Sequence, residues 1–224
     1  MDNFNKNLII VDDTDKIIGS KKALVSHHLK TLTLHRAFSV FLFSSDNKML
    51  VQKRSLDKFV FPEHWGNTCC SHPFLSEMSF NDPLSDVKIH AIKRLQYELG
   101  IKENEVGFDD LLFKERIVYI ARPEKSEGKF IGTDIKSQEI EIFPESQNIM
   151  KEGLKSEDFG EYEVDYILFV KKNSSDLTIK PNPSEVMEAR WVSKQEFDIL
   201  FKNEKIVPWV RVLCQYIDPF SYFK

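Results

Sequence analysis

The chain is poor in cysteine, in long apolar runs and in excess positive charge. It has three cysteines in 224 residues, Cys69, Cys70 and Cys214. Two are adjacent, and neighbouring residues close a disulfide only with strain. That excludes a disulfide framework, so a reducing compartment with free thiols is expected. No run approaches the roughly 18–20 apolar residues of a membrane span. The start, Met1-Asp2-Asn3-Phe4-Asn5-Lys6, has no apolar signal core. The expectation is a soluble, cytoplasmic protein with no membrane partner. Lys and Arg number 31 against 35 Asp and Glu, a formal net charge of −4. A nucleic-acid partner normally calls for a basic footprint, so none is expected. No dinucleotide fingerprint and no internal repeat is found.

Hydrophobic residues make up 42% and charged residues 29%, a globular balance with material for a sizeable core. The 18 phenylalanines make that core aromatic-rich. The chemistry is concentrated in Asn67-Thr68-Cys69-Cys70-Ser71-His72-Pro73, which sets two thiols and an imidazole within four positions.

Around it the chain reads as follows. Leu8–Val11 and Ile17–Gly19 are strand, turn and strand, and Ser20 is a candidate cap for a short helix through Val25. His27-His28 follows, with His35 seven positions after His28. Arg36–Phe43 and Met49–Arg54 form a hairpin about the turn signal at residues 44–47. Arg54 and Lys58 open the next loop; solvated surface charge is their plain reading. A helix is expected from about Ser85 to Leu99, closed by Gly100. Ala91, Leu95 and Leu99 form its apolar face. His90, Arg94 and Glu98 lie on another ridge, where Arg94 and Glu98 are either an ordinary i,i+4 surface pair or part of a site.

Leu111–Ala121 reads as a strand with Ile117, Tyr119 and Ala121 on one face. Residues 122–160 are a long excursion with a possible short strand about Ile140–Phe143. Glu161–Val170 is a strand whose period of two puts Glu161, Glu163 and Asp165 on one face. Like charges so close are costly near a core. Either a metal offsets the cost or the edge is solvated. Glu188–Val192 is a short strand, Ser193–Glu196 a capping box, and Pro208-Trp209 opens a last helix with Cys214 as a buried structural thiol.

His28, His35, His72, Glu161 and Glu163 make a nitrogen and oxygen donor set that suits Zn or Mn. Cys70 is not needed as a ligand. Beside a metal its pKa would fall, leaving it free for acid–base chemistry.

The chain resembles the type I isopentenyl-diphosphate isomerase family. The resemblance is carried by Leu34–Phe43, by Asn67–Pro73, by Tyr97-Glu98-Leu99-Gly100 and by Glu161–Leu168. It implies an α/β Nudix-like α/β/α sandwich around a mixed β-sheet. The expected organisation is a single domain over residues 1–224, with an N-terminal extension at about 1–30 and the excursion at about 122–160. It also implies the 1,3-allylic proton shift between isopentenyl and dimethylallyl diphosphate, through a carbocation, without flavin. By position, Cys70 and Glu163 match the catalytic pair and Tyr119 the tyrosine supporting that glutamate. His28, His35, His72, Glu161 and Glu163 match ligands of Zn²⁺ or Mn²⁺. Glu98 matches a ligand of Mg²⁺ at the diphosphate. Arg54, Lys58 and Arg94 match residues contacting the diphosphate, and Trp209 the tryptophan covering the pocket. A monomer is expected, a dimer being the alternative.

Two departures stand out. Leu24 occupies the place of a lysine four residues before the first metal histidine, with Lys21 and Lys22 further back. A gap there would make His27 the ligand in place of His28. Tyr97 stands where a Nudix hydrolase carries a metal-binding Glu, which suggests lost hydrolysis. The rival readings are a diphosphate hydrolase, a structural zinc site and a thiol hydrolase.

Overall fold

The computed structural model describes residues 2–78, 82–122 and 153–223. Nine strands form one mixed sheet: β1 Asn7–Val11, β2 Ile17–Lys22, β3 His35–Ser44, β4 Met49–Arg54, β5 Trp65–Gly66, β6 Cys69–Ser71, β7 Leu112–Ala121, β8 Glu161–Lys172 and β9 Val186–Val192. The helices are α1 Ala23–His27, α2 Pro83–Leu99, α3 Lys194–Asn203 and α4 Pro208–Tyr216. Residues 7–22, expected as part of an extension, are two strands of the main sheet.

β3 is the hub, and all ten of its residues are buried. A strand buried on both faces reads as a near-continuous apolar run, as Ala37–Phe43 does. β8 pairs with β3 in parallel over its whole length, from His35↔Glu163 to Ser44↔Lys172. The other edge of β3 therefore takes β1 at His35, β6 at Phe38–Val40 and β4 at Phe43 in turn. β7 extends the sheet beyond β8, and β9 extends it beyond β4.

The period of two sorts the side chains into two cores. Phe38, Val40, Leu42, Val164, Tyr166 and Leu168 face α2 through Val87, Ala91, Leu95 and Leu99. Phe41, Phe43, Ile117, Tyr119, Ile167 and Phe169 face α3 and α4 through Phe197, Leu200, Val210 and Leu213. Burying each such side chain contributes about 1.5–3 kcal/mol.

Helix α2 starts two residues earlier than its pattern predicts. Asp82 caps it by accepting from Ser85 N at 2.9 Å, and Pro83 fits the first turn, where its missing N–H costs nothing. It ends at Gly100, whose φ of +71° and whose 2.8 Å clearance to Lys180 O leave no room for a Cβ. The Ser193–Glu196 capping box is present. Ser20 caps no helix; it lies in β2, and α1 begins at Ala23. Cys214 is half-buried on α4, more exposed than its apolar neighbours suggested. The expected strand about Ile140–Phe143 falls outside the described residues. No described helix is long and apolar enough to cross a membrane.

Candidate active site

A cavity of about 850 Å³ opens where β3, β6 and β8 meet the loop after β4 and one ridge of α2. Strand register sets part of its histidine end, while His27 closes α1 and His72 directly follows β6. His35 pairs across the sheet with Glu163, and Ser39 with Cys70. His27, His35, His72 and Glu161 each offer one ligand atom, all within 4.8 Å of one another. The ring centroids of the three histidines are 4.6–4.9 Å apart.

His27, and not His28, joins this cluster. α1 ends at His27, and His28 is already extended, so the two side chains diverge. Gly160 N donates to His27 O at 2.8 Å, and His28 bridges Phe159, whose ring lies 5.5 Å from the His28 ring. His28 is thereby held away from the other donors. The resemblance pointed to His28, and the alternative it left open, His27, is the one that joins the cluster.

The cluster fits a cation. His35 Nδ1 is 2.7 Å from Thr33 O, so it carries the ring proton and leaves the Nε2 lone pair facing inward. Burial holds the His35 pKa down at about 4, so the ring is neutral. His35 Nε2 is buried with no hydrogen-bond partner, its nearest carboxylate oxygen, Glu163 Oε1, lying 3.6 Å away. An orphaned polar atom of this kind is costly, and a cation held among these donors would satisfy it. Burial lowers the His27 pKa, but Glu161, 2.7 Å away, outweighs it and raises it.

Glu163 lies beside this group. Its Oε1 is 2.7 Å from His72 Nε2 and 3.6 Å from His35 Nε2, and the Tyr119 hydroxyl donates to its Oε2. Burial raises its pKa, but contacts with His35 and His72 prevail and hold it well below the usual carboxylate range. Cys70 departs from expectation in the opposite sense. Burial first, then the charge of Asp165, push its pKa up, so it is a neutral thiol and not a thiolate. Its S–H donates to Asn67 Oδ1 at 2.8 Å, and Ser39 Oγ lies 3.3 Å away.

The opposite end is basic. Arg94 donates to Glu98 Oε1 through Nε at 3.1 Å, and Gln52 donates to Glu98 Oε2 at 2.8 Å. This is no surface pair: Glu98 is 5% exposed. Lys58 Nζ is 2.7 Å from Glu185, which also approaches Arg94 at 3.4 Å. Arg54 donates to the carbonyls of Val60 and Phe61 and stacks 5.5 Å over the Trp209 ring. Arg54, Lys58, Arg94, Glu98, Glu185 and Trp209 line the cavity, as do Cys70, Tyr119, Glu161 and Glu163. Sequence reasoning missed Ser39, Asn67 and Glu185, each of which is ordinary in its local pattern. Only the sheet register and the loop before β9 bring them in.

No family model matches the chain. Against curated proteins, it is 36% identical over 216 residues to the isopentenyl-diphosphate delta-isomerase of Dictyostelium discoideum, covering 92% of this chain and 77% of that one. The chain belongs to the isopentenyl-diphosphate delta-isomerase family. The Bos taurus isopentenyl-diphosphate delta-isomerase 1 is 35% identical, with 92% of this chain and 79% of that one covered. Among solved structures, DR0079 of Deinococcus radiodurans matches with a TM-score of 0.55 at 12% identity, over 95% of this chain and all of that one. The sheet between α2 on one side and α3 and α4 on the other is the α/β/α sandwich around a mixed β-sheet that the sequence led to expect.

Proposed function

We propose that Cys70 and Glu163 carry out the family's reaction in this chain, the interconversion of isopentenyl and dimethylallyl diphosphate. One of the pair delivers a proton to the terminal alkene carbon. The other removes a proton from the carbon two places along, and the reverse reaction exchanges the roles. No net proton is consumed. The observation that carries this reading is that one cavity is lined by a neutral thiol, by a tyrosine-supported carboxylate and by a basic end suited to a diphosphate. Positioned proton transfer of this kind typically contributes about 10²–10⁴-fold.

The intermediate is a tertiary carbocation, which water would quench. Trp209 is 7% exposed, and its ring closes part of the cavity wall. Arg54 lies over that ring, tying the cavity wall to the basic end.

His27, His35, His72 and Glu161, with Glu163, would hold Zn²⁺ or Mn²⁺, whose charge would neutralise the buried carboxylates. The cavity lining counts five Lys or Arg against six Asp or Glu, so its own cations are matched. A diphosphate therefore needs a further cation, and Glu98 is placed to hold Mg²⁺. Arg54, Lys58 and Arg94 would bind the remaining phosphate charge. No flavin takes part in this scheme.

The test is to incubate the protein with isopentenyl diphosphate, Mg²⁺ and Zn²⁺ in D₂O and follow the product by NMR. Deuterated dimethylallyl diphosphate is expected from the wild type and not from Cys70→Ala or Glu163→Gln. Phosphate release without isomerisation would replace this reading with the hydrolase one. That outcome is disfavoured because the cavity ridge of α2 carries one carboxylate, Glu98, beside His90 and Arg94.

A further inference from the structure

The three carboxylates on one face of β8 have three different neighbourhoods. Glu161 meets His27, and Glu163 meets His35, His72 and Tyr119. Asp165, the next one inward, is fully buried and meets neither a histidine nor the cavity. Its Oδ2 accepts from Ser39 Oγ at 2.7 Å, and its Oδ1 has no partner. A half-satisfied buried carboxyl is costly, and packing alone does not explain it.

Ser39 has Cys70 on its other side, with Oγ 3.3 Å from Sγ. The hydroxyl has one proton and gives it to Asp165, so towards the thiol it can only accept, and the single Cys70 proton is shared between Ser39 Oγ at 3.3 Å and Asn67 Oδ1 at 2.8 Å. Asn67 completes the hold. Its amide N–H groups go to the carbonyls of Val40 at 2.9 Å and Cys69 at 3.2 Å, which obliges Oδ1 to face Cys70. A cysteine side chain on one rotatable bond has three staggered wells. Contacts from two sides select one of them. Among the described residues, Cys70 lines the cavity, while Ser39, Asn67 and Asp165 stand behind it.

We propose that Ser39, itself fixed by Asp165, is a positioning residue that aims the Cys70 thiol into the cavity. The strand register builds this in: Ser39 lies opposite Cys70 on β6, and Ala37, two residues back, lies opposite Asp165 on β8. The proposal rests on the reading of Cys70 as a proton-transfer group.

The test compares wild type, Ser39→Ala, Asp165→Leu and Cys70→Ala in steady-state isomerisation. It also measures the rate at which iodoacetamide modifies Cys70, read by mass spectrometry. In Ser39→Ala, kcat is expected to fall about tenfold to a hundredfold, the scale of a misaimed catalytic group. KM should stay at the wild-type value because Ser39 touches no substrate, and the Cys70 modification rate should change with kcat. A purely structural role would lower Tm and leave kcat per folded molecule and the modification rate unchanged, which would overturn the proposal. If Ser39→Ala does not fold, Asp165→Leu decides. It removes a costly buried carboxyl and frees the Ser39 hydroxyl, so a wild-type kcat there overturns the proposal and a reduced kcat at unchanged KM supports it. Cys70→Ala separates the two levels. If it still isomerises, the reading of Cys70 fails. If it is inactive while the Ser39 and Asp165 variants keep wild-type kcat, the positioning role alone fails.

Discussion

The two ends of the cavity are built on opposite plans. At the histidine end, strand register sets His35 against Glu163, the end of α1 and the residue after β6 bring in His27 and His72, and His35 Nε2 is left without a hydrogen-bond partner. At the basic end, a helix ridge, the end of β4 and two loops supply the charges; Arg94 and Lys58 are already matched by Glu98 and Glu185, and Arg54 is held by the carbonyls of Val60 and Phe61. The first end is a rigid frame lacking a positive charge. The second is a self-neutralised set that must exchange partners when an anion arrives. Rigidity therefore belongs where ligand geometry is demanding, and adaptability where a flexible diphosphate binds.

That contrast can be broken first at the histidine end. His72→Ala should cost more metal affinity than the 10–100-fold typical of outer contacts, with isomerisation lost in parallel; equilibrium dialysis and the NMR assay would read both. Chelation should act on the whole fold too. A bound metal stabilises by about 2.7 kcal/mol at a hundredfold excess over its Kd, so stripping it should lower Tm and adding it back should restore it. A Tm indifferent to chelator would remove the metal from this end.

The basic end should respond more mildly. Arg94→Ala leaves Glu98 buried with only Gln52 as partner. A lost charged hydrogen bond costs about 1.5–3 kcal/mol. The loss should appear mainly as a raised KM in steady-state kinetics, with the histidine-end metal still bound. The smallest effect is expected where α2 stops. Gly100→Ala would force a side chain into the left-handed region and against Lys180 O. The cost is about 1–2 kcal/mol, a Tm loss of about 2–8 °C at this chain length by thermal melting.

Much of the fold was legible because its signals are local. The alternation at Glu161–Val170, the glycine that ends α2, the capping box of α3 and the hairpin turn at residues 44–47 each follow from a few neighbouring side chains. The site was legible where a motif was contiguous, as in Asn67–Pro73. It was misread where geometry depends on a turn, as with His27 and His28, since one residue more or less reverses which side chain faces in. The charge state of Cys70 was also misread. A thiol near a metal suggests a thiolate, but desolvation at the cavity wall and then the nearby Asp165 favour the proton. Ser39 and Glu185 carry no signal of their own; distant pairing alone gives them a role.

The parallel pairing of β3 with β8 also fixes an order of events. Ser39 and Asp165 are 126 residues apart in the chain, yet they touch. A chain emerging from synthesis presents its three histidines and both early thiols well before β8 exists. Until Glu161, Glu163 and Asp165 arrive, those groups have no carboxylate opposite them on β8. Contacts of such long range slow folding, since the loop entropy must be met before they form.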